Sequence, residues 1–442
     1  MLTARRCIRI SLLALLLAVL PFAASLSHGA PPEGAPYPTA RGIEFNGWWH
    51  EANRLLLHTS NLGFFGDFGV DDMHSASWPY DSGYEHLYVA GLWFGAVVEG
   101  DTLVSSTAYN MEIMPPDGPT YTIYETAHGA AGGDKNVDDD GDGEVDEDRL
   151  DGLDNDGDLL IDEDFAAISD EMFAYVSYDT AALLYPNPND PHTPIGMELY
   201  TQSYAWSDAG AGDFVGARYE ATNNACTTLQ DVYMGILADP DVGFAAGGAS
   251  YYLDDHVGFV DTLVADYPTV EPIRVAMIYG YDAPGGDDGN WNGWFGIVLL
   301  DHSGSAGLPS PRAVRLWESG ADDPDHDVDR YSFMSETGVS GYGGYAADWR
   351  FMMSVGPLGD LCPGESAHVD VAFVCGDKLE GLIDNAARAL LRHRSRLWSG
   401  RTGPMPRGPR MALEPPTERA GKETRTALFP PAPNPATDGA RI

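Results

Sequence analysis

Basic residues are scarce in this chain of 442 residues. Lysine and arginine together number 25, against 67 aspartates and glutamates, and the formal net charge is -42. Nucleic-acid binding depends on neutralising phosphates with basic side chains, and docking on anionic lipid needs the same charges. The composition therefore excludes both as expected partners. The chain has only Lys135, Lys378 and Lys422, so a P-loop or Schiff-base lysine is not expected.

Cysteine and the common catalytic motifs are also missing or rare. The chain has 4 cysteines, far too few for a disulfide-dense scaffold. Cys362 and Cys375 flank an apparent strand pair and are able to form a bridge, but two buried free thiols are the favoured interpretation. No HExxH or GxSxG sequence is present. The sequence therefore shows no evident catalytic site.

Long apolar runs are absent after the first thirty residues, and a bilayer-spanning helix needs about 20 such residues. The first thirty begin with Arg5, Arg6 and Arg9, continue with an apolar stretch over residues 10–24, and end in small residues. This order is typical of a secretory signal peptide, and Sec export is favoured over twin-arginine export. Residues 1–30 are therefore predicted to be a signal peptide of a secreted or cell-surface protein.

Short strands separated by turns are predicted for most of the chain. The clearest hairpin has HLYVAGLWFGAVV and TLVSST on either side of Glu99-Gly100-Asp101. The predicted strands are residues 54–60, 86–98, 102–107, 172–178, 198–206, 215–222, 231–237, 274–279, 294–300, 349–355 and 368–374. The expected fold is mainly β, an antiparallel β-sandwich made of one or two packed sandwiches. Its parts are an N-terminal β region (31–133) and a β-sandwich region (166–377).

The C-terminal part changes character. Residues 378–398 place apolar side chains at helical spacing and carry arginines toward the end, where the helix dipole favours them. A helix that covers the acidic sandwich is favoured over a basic docking surface. Residues 399–427 are rich in Pro, Gly and charge and are predicted to be a linker.

An acidic pattern occurs twice between the two β regions. Residues 138–148 read DDDGDGEVDED and residues 154–164 read DNDGDLLIDED, set 16 residues apart. The two copies share six acidic positions, a glycine and an apolar position. A generic acidic run would not preserve all three. Residues 134–165 are therefore predicted to be tandem metal-binding repeats.

The pattern fits calcium. Calcium takes six to eight oxygen ligands at about 2.3–2.6 Å and tolerates irregular geometry, whereas magnesium prefers few carboxylates and several waters. Mutual repulsion also favours cation uptake, since residues 31–377 hold 61 acidic and 10 basic residues. A salt-adapted surface or a solvated acidic linker is the alternative. The predicted calcium ligands are Asp138, Asp140, Asp142, Asp146, Glu147, Asp154, Asp156, Asp158, Asp162 and Glu163.

The repeats resemble EF-hand loops and the aspartate-rich calcium repeats of dockerins and thrombospondin type 3 modules. An EF-hand loop has 12 residues and a glutamate at position 12. Counted from Asp138 and Asp154, position 12 is Arg149 in the first repeat and Phe165 in the second, and no flanking helices are predicted. Leu159 stands where the loop needs glycine and positive φ, so the first site is expected to form better. The loop pattern predicts that the apolar position, Val145 or Ile161, turns inward and pins the loop to its neighbour.

The last residues, 428–442, resemble the start of the C-terminal sorting or FlgD-type immunoglobulin-like domains of secreted bacterial proteins. The sequence Pro433-Asn434-Pro435-Ala436 carries this resemblance. The body is also similar to secreted bacterial proteins that carry such tails, in GLWFGAVVEGDTLVSS, the aspartate repeats and SVGPLGDLCPGESAHVDVAFVCGD. That type has no assigned activity, so the resemblance implies a location and no reaction.

Three weaker features have two interpretations each. Asp239, Asp241, Asp254 and Asp255 form one acidic group, and solvated loops are favoured over a cation site. The same applies to the alternating acids of residues 325–329. A third feature is the tryptophan pair within DDGNWNGWFG, for which packing inside the sandwich is favoured over a sugar site.

The sequence as a whole predicts a secreted or cell-surface calcium-binding β-sandwich protein with a structural, adhesive or ligand-binding role. Calcium is the expected partner, and an extracellular glycan or protein is a further one. The alternative is an extracellular hydrolase of the glycosidase type, since such an enzyme needs only a pair of carboxylates on a calcium-stabilised scaffold.

Overall fold

Two β-sheets stacked face to face make up the body of the protein in the computed structural model. It describes residues 47–394 except 67–73, 116–122, 156, 182, 184–190, 245–250, 265–271, 285–290, 306–308, 321–322 and 342. The predicted signal peptide, the linker 399–427 and the segment 428–442 lie outside the described residues. No helix in the described ranges is long and apolar enough to cross a membrane.

Twenty strands and two helices are described. They are β1 (Gly47–His50), β2 (Leu56–Ser60), β3 (Phe64–Gly66), β4 (Ala76–Ser77), β5 (Tyr84–Glu85), β6 (Val89–Val98), β7 (Asp101–Ser106), β8 (Tyr124–Thr126), β9 (Glu171–Tyr178), β10 (Met197–Ala205), β11 (Phe214–Asn223), β12 (Gln230–Asp239), β13 (Gly243–Phe244), β14 (Asp255–Val264), β15 (Ile273–Asp282), β16 (Gly293–His302), β17 (Ala313–Glu318), α1 (Asp327–Ser335), β18 (Gly338–Ser340), β19 (Trp349–Val355), β20 (Ser366–Asp377) and α2 (Lys378–Arg394).

The first sheet has 12 strands in the order β13-β5-β4-β2-β3-β6-β12-β19-β17-β18, with β1 beside β2 and β7 beside β6. The second sheet has 8 strands in the order β14-β15-β16-β20-β11-β10-β9-β8. Strand β17 runs parallel to β18, and the other named pairs are antiparallel. The mainly β fold with sandwich packing and a C-terminal helix is confirmed. Every predicted strand overlaps an observed one.

The main core lies between the sheets, and β20 shows how it is built. Val371, Phe373 and Cys375 point into this core, while Ala372 and Val374 point to the outer face of the second sheet. Both sets are buried, because helix α2 packs on that outer face. A strand covered on both faces reads as a continuous apolar run, which explains why β20 is recognisable in the sequence.

Helix α2 is the predicted C-terminal helix, and it packs on the second sheet. Leu382, Ala386 and Leu390 are buried against the outer face of that sheet. The guanidinium group of Arg392 lies 4.8 Å from the ring centre of Trp206 and also pairs with an aspartate of the body. The described helix ends at Arg394, and the predicted residues beyond it lie outside the described ranges. The packing agrees with a helix that covers the sandwich.

Helix α1 was not expected, and it replaces one of the predicted acidic loops. Asp327 and Asp329 lie in its first turn, where the helix dipole favours carboxylates, while Asp325 precedes the helix. These acidic residues therefore do not form the solvated loop that the sequence favoured. The helix has few apolar residues, and its buried face includes the arginine Arg330, which is 1% exposed.

The cysteines agree with the sequence interpretation only in part. Cys375 is buried and free, so it forms no bridge to Cys362. Cys362 is half-buried and disulfide-bonded, so the interpretation of two buried free thiols is wrong for this residue. Cys226 is an exposed free thiol.

Candidate metal centre

The aspartate repeats form an insertion between β8 and β9, called here the repeat module (residues 134–165). Leu150 and Phe165 are buried against the outer face of the second sheet. Arg149 pairs with Glu198 at 2.9 Å, and its guanidinium group lies 5.3 Å from the ring centre of Tyr200. The two residues at position 12, Arg149 and Phe165, therefore anchor the module to the sheet, which explains why neither is a glutamate.

The two repeats have the same local backbone. Asp146 and its counterpart Asp162 both have a φ of 55°. Gly143 has a φ of 105°, and Leu159, at the equivalent position, has a φ of 82°. Leucine therefore occupies a conformation that glycine adopts without strain, as the sequence comparison predicted.

The aspartate turns also correspond between the repeats. The side chain of Asp138 accepts a hydrogen bond from the N–H of Gly141 at 2.6 Å, and Asp154 accepts one from Gly157 at 2.6 Å. Such side-chain turns fix the loop with the carboxylates on one side. The duplication is thus a structural repeat as well as a sequence repeat.

The last aspartate of each repeat reaches across to the other repeat. Asp148 is 2% exposed and Asp164 is 0% exposed, and each accepts two backbone N–H groups from the opposite loop. The four hydrogen bonds run from Asn155 N (2.9 Å) and Asp162 N (2.6 Å) to Asp148 and from Asp139 N (3.3 Å) and Asp146 N (3.3 Å) to Asp164. This exchange holds the two loops against each other. Asp148 therefore braces the opposite loop.

Carboxylates of both repeats converge as a result. Three groups have side-chain oxygens within 4.8 Å of one another. They are Asp138 with Asp140 and Asp142, Asp140 with Asp158 and Glu163, and Asp140 with Glu147 and Asp164. Oxygens bound to one calcium ion at about 2.3–2.6 Å lie no farther apart than about 5 Å. The spacing therefore fits calcium, and Asp140 belongs to all three groups.

Two of the predicted ligands have an oxygen that needs a partner. Oε2 of Glu147 and Oε2 of Glu163 are buried and have no hydrogen-bond partner. Burial, together with the negative charges of Asp148 and Asp158, raises the pKa of Glu163 to about 7. A buried carboxylate oxygen without a partner is costly. A bound cation would supply that partner, so the residues present fit a divalent metal.

The other predicted ligands are placed as follows. The side chain of Asp146 accepts the N–H of Asn136 at 3.0 Å, and that of Asp162 accepts the N–H of Gly152 at 2.9 Å. These two aspartates thus brace the loop entrances. Asp156 lies outside the described residues.

The apolar positions of the repeats do not turn inward, and that prediction is wrong. Val145 is 49% exposed and Ile161 is 59% exposed. The module is pinned by the exchanged aspartates and by the residues at position 12, so its apolar side chains are not needed for this purpose.

We expect Asp148→Ala to lower the free energy of unfolding measured in EGTA by about 1–3 kcal/mol, because the substitution leaves two amide groups without their acceptor. Urea unfolding measures the loss, and hydrogen exchange should accelerate at the amides of Asn155 and Asp162. Glu144→Ala is the matched control, since Glu144 is exposed in the same module. Equal stability of the two variants would contradict the exchange of aspartates.

The two tryptophans that were considered for a sugar site stack on other aromatic rings. The ring of Trp291 stacks on Tyr84 at 3.8 Å, and that of Trp294 stacks on Tyr281 at 3.9 Å. Their ring faces are directed at other aromatic rings. Trp291 packs against the core between the sheets and Trp294 against the outer face of the second sheet, and both are half-buried. Packing inside the sandwich therefore holds only for Trp291.

A second acidic group lies outside the module and is buried. Asp239 and Asp255 are 0% exposed, and Asp241 is 3% exposed. The interpretation of these residues as solvated loops is therefore wrong, because Asp239 and Asp255 are buried at strand ends and Asp241 is buried beside them.

Comparisons with known proteins find no family. No family model matches the chain, and no curated protein matches it. A polysaccharide lyase is similar in structure over 80% of this chain and 34% of its own, with 10% identity and a TM-score of 0.29. The GalM/aldose epimerase homologue from C. elegans is similar over 47% of this chain and 66% of its own, with 9% identity and a TM-score of 0.24. The chain thus spans about a third of the lyase.

Proposed function

We propose that this protein is an exported, calcium-binding β-sandwich protein with a structural, adhesive or ligand-binding role, and that the repeat module binds the calcium. The observation that carries the proposal is the position of Asp140, whose carboxylate faces Asp158 and Glu163 of the other repeat. Carboxylates held this close in a protein of net charge -42 repel one another unless a cation lies between them.

Calcium suits the module better than other common ions. The candidate ligands are all carboxylate oxygen atoms from loops, which hard cations that tolerate irregular geometry prefer. Magnesium would need a nearly octahedral arrangement at about 2.0–2.1 Å and would retain several waters. Zinc is disfavoured because the three carboxylate groups of the module include no histidine or cysteine.

Calcium binding would stabilise the folded module. A ligand that binds only the folded state stabilises it by about 2.7 kcal/mol at a concentration of 100 times its Kd. Extracellular calcium is the expected source, given the predicted signal peptide. The module would then be a rigid part of the surface, fastened to the second sheet through Arg149 and Phe165.

The test is the melting temperature of the purified protein in calcium and in EGTA. We expect calcium to raise it and magnesium at the same concentration to raise it less. Asp140→Asn should remove most of the calcium-dependent rise, because Asp140 belongs to three carboxylate groups. Asp138→Asn should remove less, because Asp138 belongs to one. Glu144→Gln is the control with an unchanged response.

Calorimetric titration gives the number of ions bound by each variant. Identical melting curves in calcium and EGTA, together with no heat of binding, would refute the proposal. The same preparation, incubated with glycans and casein, distinguishes the alternative function. Turnover that is lost when one carboxylate pair is replaced would make the protein a hydrolase, whereas binding without turnover supports the proposed role.

A further inference from the structure

A group of buried aspartates lies where the two sheets meet, outside the repeat module. Three belong to the first sheet: Asp239 ends β12, Asp241 follows it, and Asp348 precedes β19. Their side chains each offer an oxygen, and these oxygens lie within 4.8 Å of one another. Asp348 is distant from the other two in sequence and meets them because β12 pairs with β19.

The second sheet contributes Asp255, at the start of β14. Its Oδ2 accepts the N–H of Val242 at 3.0 Å, and its carbonyl oxygen accepts the N–H of Ala347 at 3.1 Å. Val242 and Ala347 are the sequence neighbours of Asp241 and Asp348. Asp255 is therefore held between the two segments of the first sheet that carry the other carboxylates.

Two further aspartates surround Asp255. Asp282, at the end of β15, is its partner across the strand pair, and Asp254 precedes it in the chain. Asp282 is 2% exposed, and its side chain accepts the N–H of Trp291 at 2.9 Å. The group thus collects aspartates from both sheets into one enclosed region.

Two buried carboxylate oxygens of this group have no hydrogen-bond partner. Asp255 is 0% exposed, and its Oδ1 is unpartnered. Asp239 is also 0% exposed, with Oδ1 unpartnered, although its Oδ2 contacts Arg350 at 3.3 Å and accepts the hydroxyl of Tyr109. Buried oxygens are normally satisfied, so these two call for an additional partner.

The charges around the group also favour a bound cation. Arg350 divides its positive charge between Asp239 and Asp323. A divalent cation would neutralise several of these enclosed carboxylates at once.

We propose that this group, Asp239, Asp241 and Asp348 with Asp255 opposite, is a second binding site for a divalent cation of the calcium class. The ion would connect the first sheet to the edge of the second and so fasten the two layers of the sandwich. The site shares no residue with the repeat module and does not rest on the function proposed for it.

The experiment counts the calcium ions bound to the full-length protein, using equilibrium dialysis and metal analysis. Asp241→Asn should lose the calcium of the buried site and retain that of the repeat module. Asp140→Asn should lose calcium from the module and retain that of the buried site. The first result tests the buried site and the second tests the module, so either proposal is able to fail alone. Asp101→Asn, at an exposed strand end, is the control and should bind as many ions as the natural sequence.

Melting temperatures distinguish neutralisation of the group by a cation from neutralisation by protons. In EGTA, Asp241→Asn should melt at the same or a higher temperature than the natural sequence, because one repelling charge is removed. In calcium it should melt lower, because a ligand is lost. If Asp241→Asn does not fold, the half-buried Asp348→Asn serves the same test. Terbium luminescence gives an independent signal, since Trp349 follows Asp348 directly and would sensitise an ion bound beside it.

Three results would overturn the proposal. One is an unchanged calcium count in Asp241→Asn, or in Asp348→Asn where that variant replaces it. Another is an unchanged calcium-dependent rise in melting temperature. The last is terbium luminescence that persists in the variant at the natural intensity. Any of them would mean that protons neutralise the group.

Discussion

Phe373→Ala is expected to lower the free energy of unfolding by about 3–5 kcal/mol, the range for deleting a buried phenylalanine side chain. Phe373 is 0% exposed and lies in β20, in the middle of the second sheet. Its ring centre is 4.7 Å from that of Phe65 in the first sheet and 6.4 Å from that of Phe295 in β16. The substitution would therefore leave a cavity between the sheets that rigid strands cannot close.

Urea unfolding at neutral pH with calcium present measures this loss. Phe373→Leu should cost less, because it retains most of the apolar volume. Leu263→Ala, at a side chain that is 62% exposed, is the control and should change stability by less than about 0.5 kcal/mol. A loss for Phe373→Ala as small as that of the control would mean that the sheets do not pack through this ring.

Arg330→Met is expected to destabilise the protein by about 3–5 kcal/mol, the range for removing one partner of a buried ion pair. Arg330 is 1% exposed in α1 and contacts the carboxylate of Glu112 at 3.0 and 3.3 Å. Glu112 is 3% exposed, and the substitution would leave its charge buried without this partner. Arg330→Met combined with Glu112→Leu should recover part of the loss, because the uncompensated charge is then removed.

The effect should depend on pH in a definite direction. Burial raises the pKa of Glu112, while Arg330 opposes that rise. Without the arginine, the pKa in the folded state would be higher still. A carboxyl group whose folded pKa is raised gains stability as the pH falls through that value. Arg330→Met should therefore be less destabilising at mildly acidic than at neutral pH, and a constant loss across that range would contradict the pairing.

Elements with a regular apolar pattern were predictable. The strands β6, β12 and β20 and the helix α2 combine such patterns with clear turns or a helical period. The edge strand β14 was missed because its outward residues are half exposed and its pattern is weak. The helix α1 was missed because one of its two buried residues is an arginine, so it lacks an apolar stripe.

The aspartate repeats were predictable to the level of a single loop. Glycine and aspartate spacing indicated the turns, and Leu159 was recognised as the residue in a glycine position. The exchange of Asp148 and Asp164 was not predictable, since it depends on how the two loops meet. The inward position of Val145 and Ile161 was inferred from the loop pattern, and the structure leaves both exposed.

The sequence by itself determined the charge of the protein, its mainly β character and the duplicated acidic turns, because composition, period and turn chemistry act between residues close in the chain. Only the tertiary structure decided which carboxylates share a site. Asp140 meets Glu163 through the docking of two loops, and Asp239 meets Asp348 through the pairing of two strands. Contacts of this kind depend on the packing of distant segments, which local spacing does not encode.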